Sequence, residues 1–242
     1  MDWCGQMSEL ILVRHGQASF FEDNYDQLSE CGREQSFQLG QHWVAEQESF
    51  DAVFTGPRVR HQDTAAIVGD CYRKAGLDWP TATIRAELDE HHVDQLVSQQ
   101  ADSLANQSAE LTELLEAFAL ATERQQRQRN FQRLFEAVAS RWMQGESFDI
   151  ESWHEFQARV NRAIDEITAS HQGGRRVAVF TSVGPISIAI QRALKCQSDV
   201  ALNTGWRLWN CSLTNFVYST GRFTLDRFNA LPHLPKQDRT YR

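Results

Sequence analysis

Residues 10–19 read LILVRHGQAS, four apolar residues that run straight into an arginine, a histidine and a glycine. A short continuous apolar run is the signature of a strand buried on both faces. Arg14 and His15 therefore stand where such a strand stops. A neutral imidazole nitrogen is a nucleophile, and a guanidinium fork matches phosphate oxygens bidentately. A second apolar run leads into TGPRVRHQDTA, with Arg58 and Arg60. A third leads into Ser182, Val183, Gly184 and Pro185. Pro185 suits the first turn of a helix, whose unpaired N–H groups attract anions. In open α/β sheets ligands bind beyond the carboxyl ends of the strands. Arginines, a histidine and a helix start on one rim thus make an anion site, with phosphate as its natural ligand.

The elements that must carry these residues follow from periodicity. LILV and FDAVFTG read as strands, and LSECGREQSFQLGQHWV and HQDTAAIVGDCYRKAG as helices, the first capped by Ser29 and the second ending at Gly76. Strand–helix alternation predicts an α/β fold with a mainly parallel sheet. The stretch SAELTELLEAFALATERQQRQRNFQRLFEAVASRWMQG is rich in Leu, Ala, Glu, Gln and Arg and predicts two helices, with ERQQRQRN as a solvated face or a turn. SWHEFQARVNRAIDEITASH predicts an amphipathic helix stopped by Gly173 and Gly174. RRVAVFTSVGPISIAIQRAL then reads strand, tight loop, helix, and SLTNFVYSTGRFTLDRFN reads as two strands joined at a Thr-Gly turn. The expected organisation is one domain over residues 1–242 with a helical insertion at about 92–150.

Composition narrows the function classes. A net charge of −8 gives no general nucleic-acid footprint, so any anion site must be a local cluster of arginine. No apolar run approaches the roughly 18 residues of a membrane span. The opening MDWCGQMSEL lacks the pattern of a signal peptide, and Met7 offers an alternative start. Five scattered cysteines without C-x-x-C pairing fit neither a disulfide framework nor a zinc site and are expected to be reduced thiols of a cytoplasmic protein.

LVRHGQAS, YDQLSECGREQSFQLG, FTGPRVRHQDTA, LDEHH and VFTSVGPI, spread over residues 10–230, together resemble the segments of the histidine phosphatase superfamily, which includes cofactor-dependent phosphoglycerate mutases. The resemblance implies a three-layer α/β/α sandwich and a metal-independent phosphatase with no cofactor, acting on a small phosphomonoester. By resemblance His15 is the nucleophile that becomes a phosphohistidine. Arg14 and Arg60 hold the equatorial oxygens. Gly16 lets the backbone approach the site. Glu90 protonates the leaving oxygen and then activates water, with Glu87 the competing match.

The sequence departs from the family at one point. Where a second histidine is usual, Ser182 stands, followed by Val183 in place of a glycine. A serine still donates a hydrogen bond to a phosphoryl oxygen but carries no charge, a difference worth about 1.5–3 kcal/mol. The serine form resembles a branch of the superfamily. His91 and His92, beside Glu90, are read as loop-surface residues, with replacement of the missing imidazole by either one the alternative; His61, beside Arg60, is read as capping or packing. Rival readings are a pseudoenzyme that binds phosphate without turnover, and a mutase. The partner is a phosphomonoester or inorganic phosphate, with neither nucleic acid nor membrane, and the oligomeric state stays open between monomer and homodimer.

Overall fold

The run SELILVR becomes β1 (Ser8–Arg14), and Leu10, Ile11, Leu12 and Val13 are all buried, as a strand covered on both faces requires. The computed structural model describes residues 7–19, 26–93, 97 and 108–241. They form two compact units, one made of Met1–Glu90 and Arg159–Arg242, the other of His91–Ala158.

In the first unit β1 sits between β4 (Arg176–Thr181), parallel to it, and β5 (Leu213–Ser219), antiparallel. β2 (Ala52–Thr55) lies parallel on the far side of β4, and the two-residue strand β3 (Thr83–Ile84) closes that edge. β6 (Arg222–Ala230) pairs antiparallel with β5 through a turn in which Gly221 has φ 73°, the left-handed geometry the Thr-Gly signal predicts. The order is β3-β2-β4-β1-β5-β6. The sheet is mixed and mostly parallel, in a three-layer α/β/α sandwich.

Helix α1 (Glu30–Ala45) starts at Ser29, whose hydroxyl accepts from the Gly32 amide at 3.1 Å, so the expected cap is present. α1 and α2 (Val59–Lys74) share a core with one face of the sheet, in which Trp43, Phe50, Tyr72, Trp79 and Phe180 interlock; Trp43–Phe50 and Tyr72–Trp79 centroids are each 4.7 Å apart. α6 (Val183–Leu194) follows β4 directly and buries Ile186, Ile188 and Ile190. α7 (Ser198–Gly205) comes next. The short strand β3 has no sequence signal, because two residues cannot show a period of two.

The second unit contains the two helices expected of it, α3 (Ala109–Leu120) and α4 (Arg124–Met143). Ser108 caps α3 by accepting from the Leu111 amide. In the polar run opening α4, Gln125, Gln126, Arg127 and Arg129 are exposed, the solvated face its composition predicts. Phe135, Trp142, Trp153 and Phe156 are buried together. α5 (Trp153–Ser170) carries the chain from this unit back to the first. The unit reaches Ala158, beyond the expected end near 150, because the first turns of α5 supply aromatics to its core. Residues 94–96 and 98–107 of the expected insertion lie outside the described residues.

Cys31, Cys71, Cys196 and Cys211 are free thiols; Cys4 lies outside the described residues. Among the described residues no helix is long and apolar enough to cross a membrane.

Candidate active site

β1 ends at Arg14, and the next residue is anchored from both flanks of the strand. The His15 amide donates to Thr181 O of β4 at 2.9 Å, and the His15 carbonyl accepts from the Cys211 amide at 3.1 Å. Beyond it the chain must pass the first turn of α1. A Cβ on Gly16 would lie 3.0 Å from both the Gly32 carbonyl carbon and Ser36 Oγ, and closer still to the Gly32 oxygen, so only glycine fits. The Gly16 amide donates to Thr64 Oγ1 at 3.2 Å, and Thr64 in turn donates to Arg60 O at 2.7 Å. The loop after β1 is thus fastened to α2.

His15 is buried, with Nδ1 2.7 Å from Gly16 O. A carbonyl accepts only, so the Nδ1 proton points at it and Nε2 keeps its lone pair. Arg60 Nε donates to that Nε2 at 3.2 Å. Burial first, then the charges of Arg60 and Arg14, hold the His15 imidazolium well below its ordinary pKa. The ring is neutral at physiological pH, with a defined tautomer whose Nε2 lone pair accepts from Arg60.

Two guanidiniums flank it. Arg14 is buried at the strand end and donates through Nη1 to Leu208 O. Arg60, in the first turn of α2, is buried and pairs through Nη1 with Asp26 Oδ1 at 2.9 Å. Asp26 also accepts from the Val59 amide at 3.0 Å and so caps α2, for which Arg58 supplies no side-chain cap. Arg58 turns instead to Asp89, 2.6 Å away. The two arginines of RVR therefore have separate partners, and Arg60 is the one against His15.

The carboxylates separate equally well. Glu87 lies beside Arg85, 3.2 Å away, an ion pair that helps hold its carboxyl below the ordinary range; the larger cause is its own backbone amide. Glu90 accepts from the Gly184 amide through Oε1 at 3.0 Å and Oε2 at 3.3 Å, in the first turn of α6. The carbonyls of Glu87, Asp89 and Glu90 all accept from the Arg159 guanidinium, at 2.8, 2.8 and 3.3 Å.

Ser182 is the N-cap residue of α6 and is buried, yet its side chain makes no cap hydrogen bond. Its Oγ lies 2.5 Å from Nε2 of His61. His61 is buried too, with its ring centroid 5.6 Å from that of His15. Val183 presents its side chain toward Gly205, leaving the helix start to its backbone. His91 is buried in the second unit, its ring 5.4 Å from Trp142, 5.7 Å from Phe135 and 5.7 Å from Phe156. His92 is half-buried at the start of the same unit.

Within the first unit the fold brings Arg14, His15, Gly16, Arg60, Ser182 and Glu90 onto the carboxyl ends of β1, β2 and β4. Sequence reasoning gave no role to Asp26, Thr64 and Arg159, and gave His61 only capping or packing. For Asp26 and Thr64 a signal exists: Asp26 lies three residues before the Ser29 cap, and Thr64 is one helical turn from Arg60.

Solved structures share this architecture. The chain is similar to a phosphoglycerate mutase from Bacillus anthracis (18% identity, TM-score 0.64, 95% of this chain and 96% of that one). It is similar to a mycobacterial glucosyl-3-phosphoglycerate phosphatase (21%, 0.63, 93% and 100%). A third is a phosphoserine phosphatase from Entamoeba histolytica, solved with 3-phosphoglyceric acid (17%, 0.62, 95% and 100%). At these identities the likeness is one of fold. Among curated protein sequences nothing matches. The pattern of the family described as "Histidine phosphatase superfamily (branch 1)" matches residues 10–120 and 113–231. Over most of its length, then, the chain is that of a member of the histidine phosphatase superfamily, branch 1.

Proposed function

We propose that the protein is a metal-independent phosphatase that hydrolyses a small phosphomonoester through a phosphohistidine at His15. The family-level activity is phosphatase or phosphotransferase chemistry of the histidine phosphatase type. One observation carries the finer reading: His15 Nδ1 is committed to Gly16 O while Nε2 faces the Arg60 guanidinium.

In the first step the Nε2 lone pair forms a bond to phosphorus as the P–O bond to the leaving group breaks. Glu90 gives its proton to the departing oxygen. The phosphorylated ring carries positive charge, which the Gly16 carbonyl at Nδ1 stabilises. Arg14 and Arg60 offset the charge of the equatorial oxygens. In the second step water attacks phosphorus, Glu90 takes the water proton, the P–N bond breaks and phosphate leaves. Glu90 is favoured over Glu87 because its carboxylate reaches the start of α6, whereas Glu87 is spent on Arg85.

The test is hydrolysis of an aryl phosphate with EDTA present, comparing wild type with His15→Ala. The expected result is turnover lost at least ~10³-fold in the variant, with an acid-labile phosphate trapped on wild type. A folded wild type inert toward a panel of phosphomonoesters, while still binding phosphate, would replace this reading with the pseudoenzyme that Ser182 favours.

A further inference from the structure

His61 and Ser182 are 121 positions apart, and both are buried with 2.5 Å between Nε2 and Oγ. A serine at an N-cap normally spends its oxygen on an amide of the first turn; Ser182 does not. His61 Nδ1 is buried without a hydrogen-bond partner. A neutral imidazole has one N–H. Placed on Nδ1 it would be a buried donor with nothing to bond, the costlier kind of orphan. Placed on Nε2 it is used on Ser182 Oγ. Burial, followed by the charges of Arg60 and Arg58, keeps the ring from taking a second proton. The hydroxyl of Ser182 therefore accepts from His61 and retains its own proton to give away. Gly56 makes room for the ring: a Cβ there would lie 2.9 Å from His61 Cε1 and 2.7 Å from Leu88 O.

We infer that His61 is a positioning residue, and that it turns the Ser182 hydroxyl into a fixed donor for a non-bridging oxygen of the phosphoryl group on His15. This rests on the phosphatase reading for its kinetic consequence, but not for its binding consequence. The single imidazole usual in the family is here split in two. Ser182 touches the phosphoryl oxygen, and His61, from α2, holds Ser182 in the orientation that does so.

The experiment is a double-mutant cycle. Ser182→Ala removes the donor. His61→Phe keeps the ring volume without an N–H, and His61→Gln restores a terminal N–H close to the position of Nε2. Thermal melting selects the folded variants. Aryl phosphatase turnover and affinity for orthovanadate are measured in each. Ser182→Ala and His61→Phe are each expected to lower kcat by ~10–100-fold, with KM changed less. The double variant is expected to be no worse than Ser182→Ala alone, and His61→Gln to recover most of the His61→Phe loss. Independent, multiplying losses in the double variant would overturn the inference, as would a His61→Gln protein no better than His61→Phe. If wild type shows no turnover, the phosphatase reading fails by itself. The cycle is then read on orthovanadate affinity, where additivity of the two losses again overturns the pairing and non-additivity upholds it.

Discussion

The amide of Gly184 donates to Oε1 of Glu90 across 3.0 Å, so the carboxyl group is tied to the first turn of α6, two residues beyond Ser182. One tether aligns the candidate acid with the segment that carries the hydroxyl donor. If Glu90 protonates the leaving oxygen, its loss must matter most when that oxygen is a poor leaving group. Glu90→Gln is expected to cost ~10²-fold or more in kcat/KM for alkyl phosphates and much less for p-nitrophenyl phosphate. The slope of log kcat/KM against leaving-group pKa should steepen accordingly. Glu87→Gln should leave the slope alone and cost at most about 1 kcal/mol of stability, since its pair with Arg85 is part-exposed. An unchanged slope in Glu90→Gln would remove the assignment.

Arg60 meets His15 and Asp26 with different nitrogens of one guanidinium, and a lysine ammonium cannot reproduce that fork. Arg60→Lys is expected to fold and to lose ~10²-fold or more in kcat/KM. Asp26→Asn keeps a cap for α2 but loosens Arg60. It should lose about 10-fold in activity and about 1 kcal/mol in stability. Circular dichroism melts and steady-state kinetics separate the two; an Asp26→Asn protein as impaired as Arg60→Lys would assign Asp26 a more direct part.

Acid should unfold the protein by way of its buried histidines. His15 and His61 are held well below the ordinary value by burial and Arg60, and His233 is pushed down to about 3 by burial and by His42. The unfolded chain binds protons on all three near pH 6.5 and the native chain does not, so unfolding takes up protons below that pH. Stability is therefore whole above about pH 6.5 and falls as pH falls, by about 1.4 kcal/mol per pH unit for each histidine. Urea midpoints between pH 6.5 and 4.5 should drop steeply, and His233→Phe should shallow the slope by roughly one proton. A wild-type midpoint flat over that range would contradict the burial of these rings. The acid limb of kcat/KM should likewise not titrate near 6.5.

How much of this was legible beforehand depends on how local each signal is. LILV followed by Arg14, His15 and Gly16 announces a buried strand end within seven residues, and Ser29 announces a helix within four. Both readings agree with the fold because strand, cap and close approach are decided by neighbours in sequence. Arg60 was legible as the arginine of a helix start. His61 was not: a histidine in the first turn of a helix gives no sign of burial. It meets Ser182 only because β2 lies beside β4 and Gly56 leaves space for the ring. His91 and His92 adjoin Glu90 in sequence, whereas the histidine against Ser182 comes from α2. Arg159 was hidden in the same way, as one more charge on an amphipathic helix. β3 was hidden by brevity.

The Arg159 guanidinium, gathering three carbonyls from Glu87, Asp89 and Glu90, also acts as a clasp. The chain departs after Glu90 and returns at Arg159, so departure and return are buckled together inside the first unit. Closing a longer excursion then costs little more than closing a shorter one. The clasp grips the backbone of Glu90, while Gly184 grips its carboxyl group, so both ends of the residue are fixed from within the first unit.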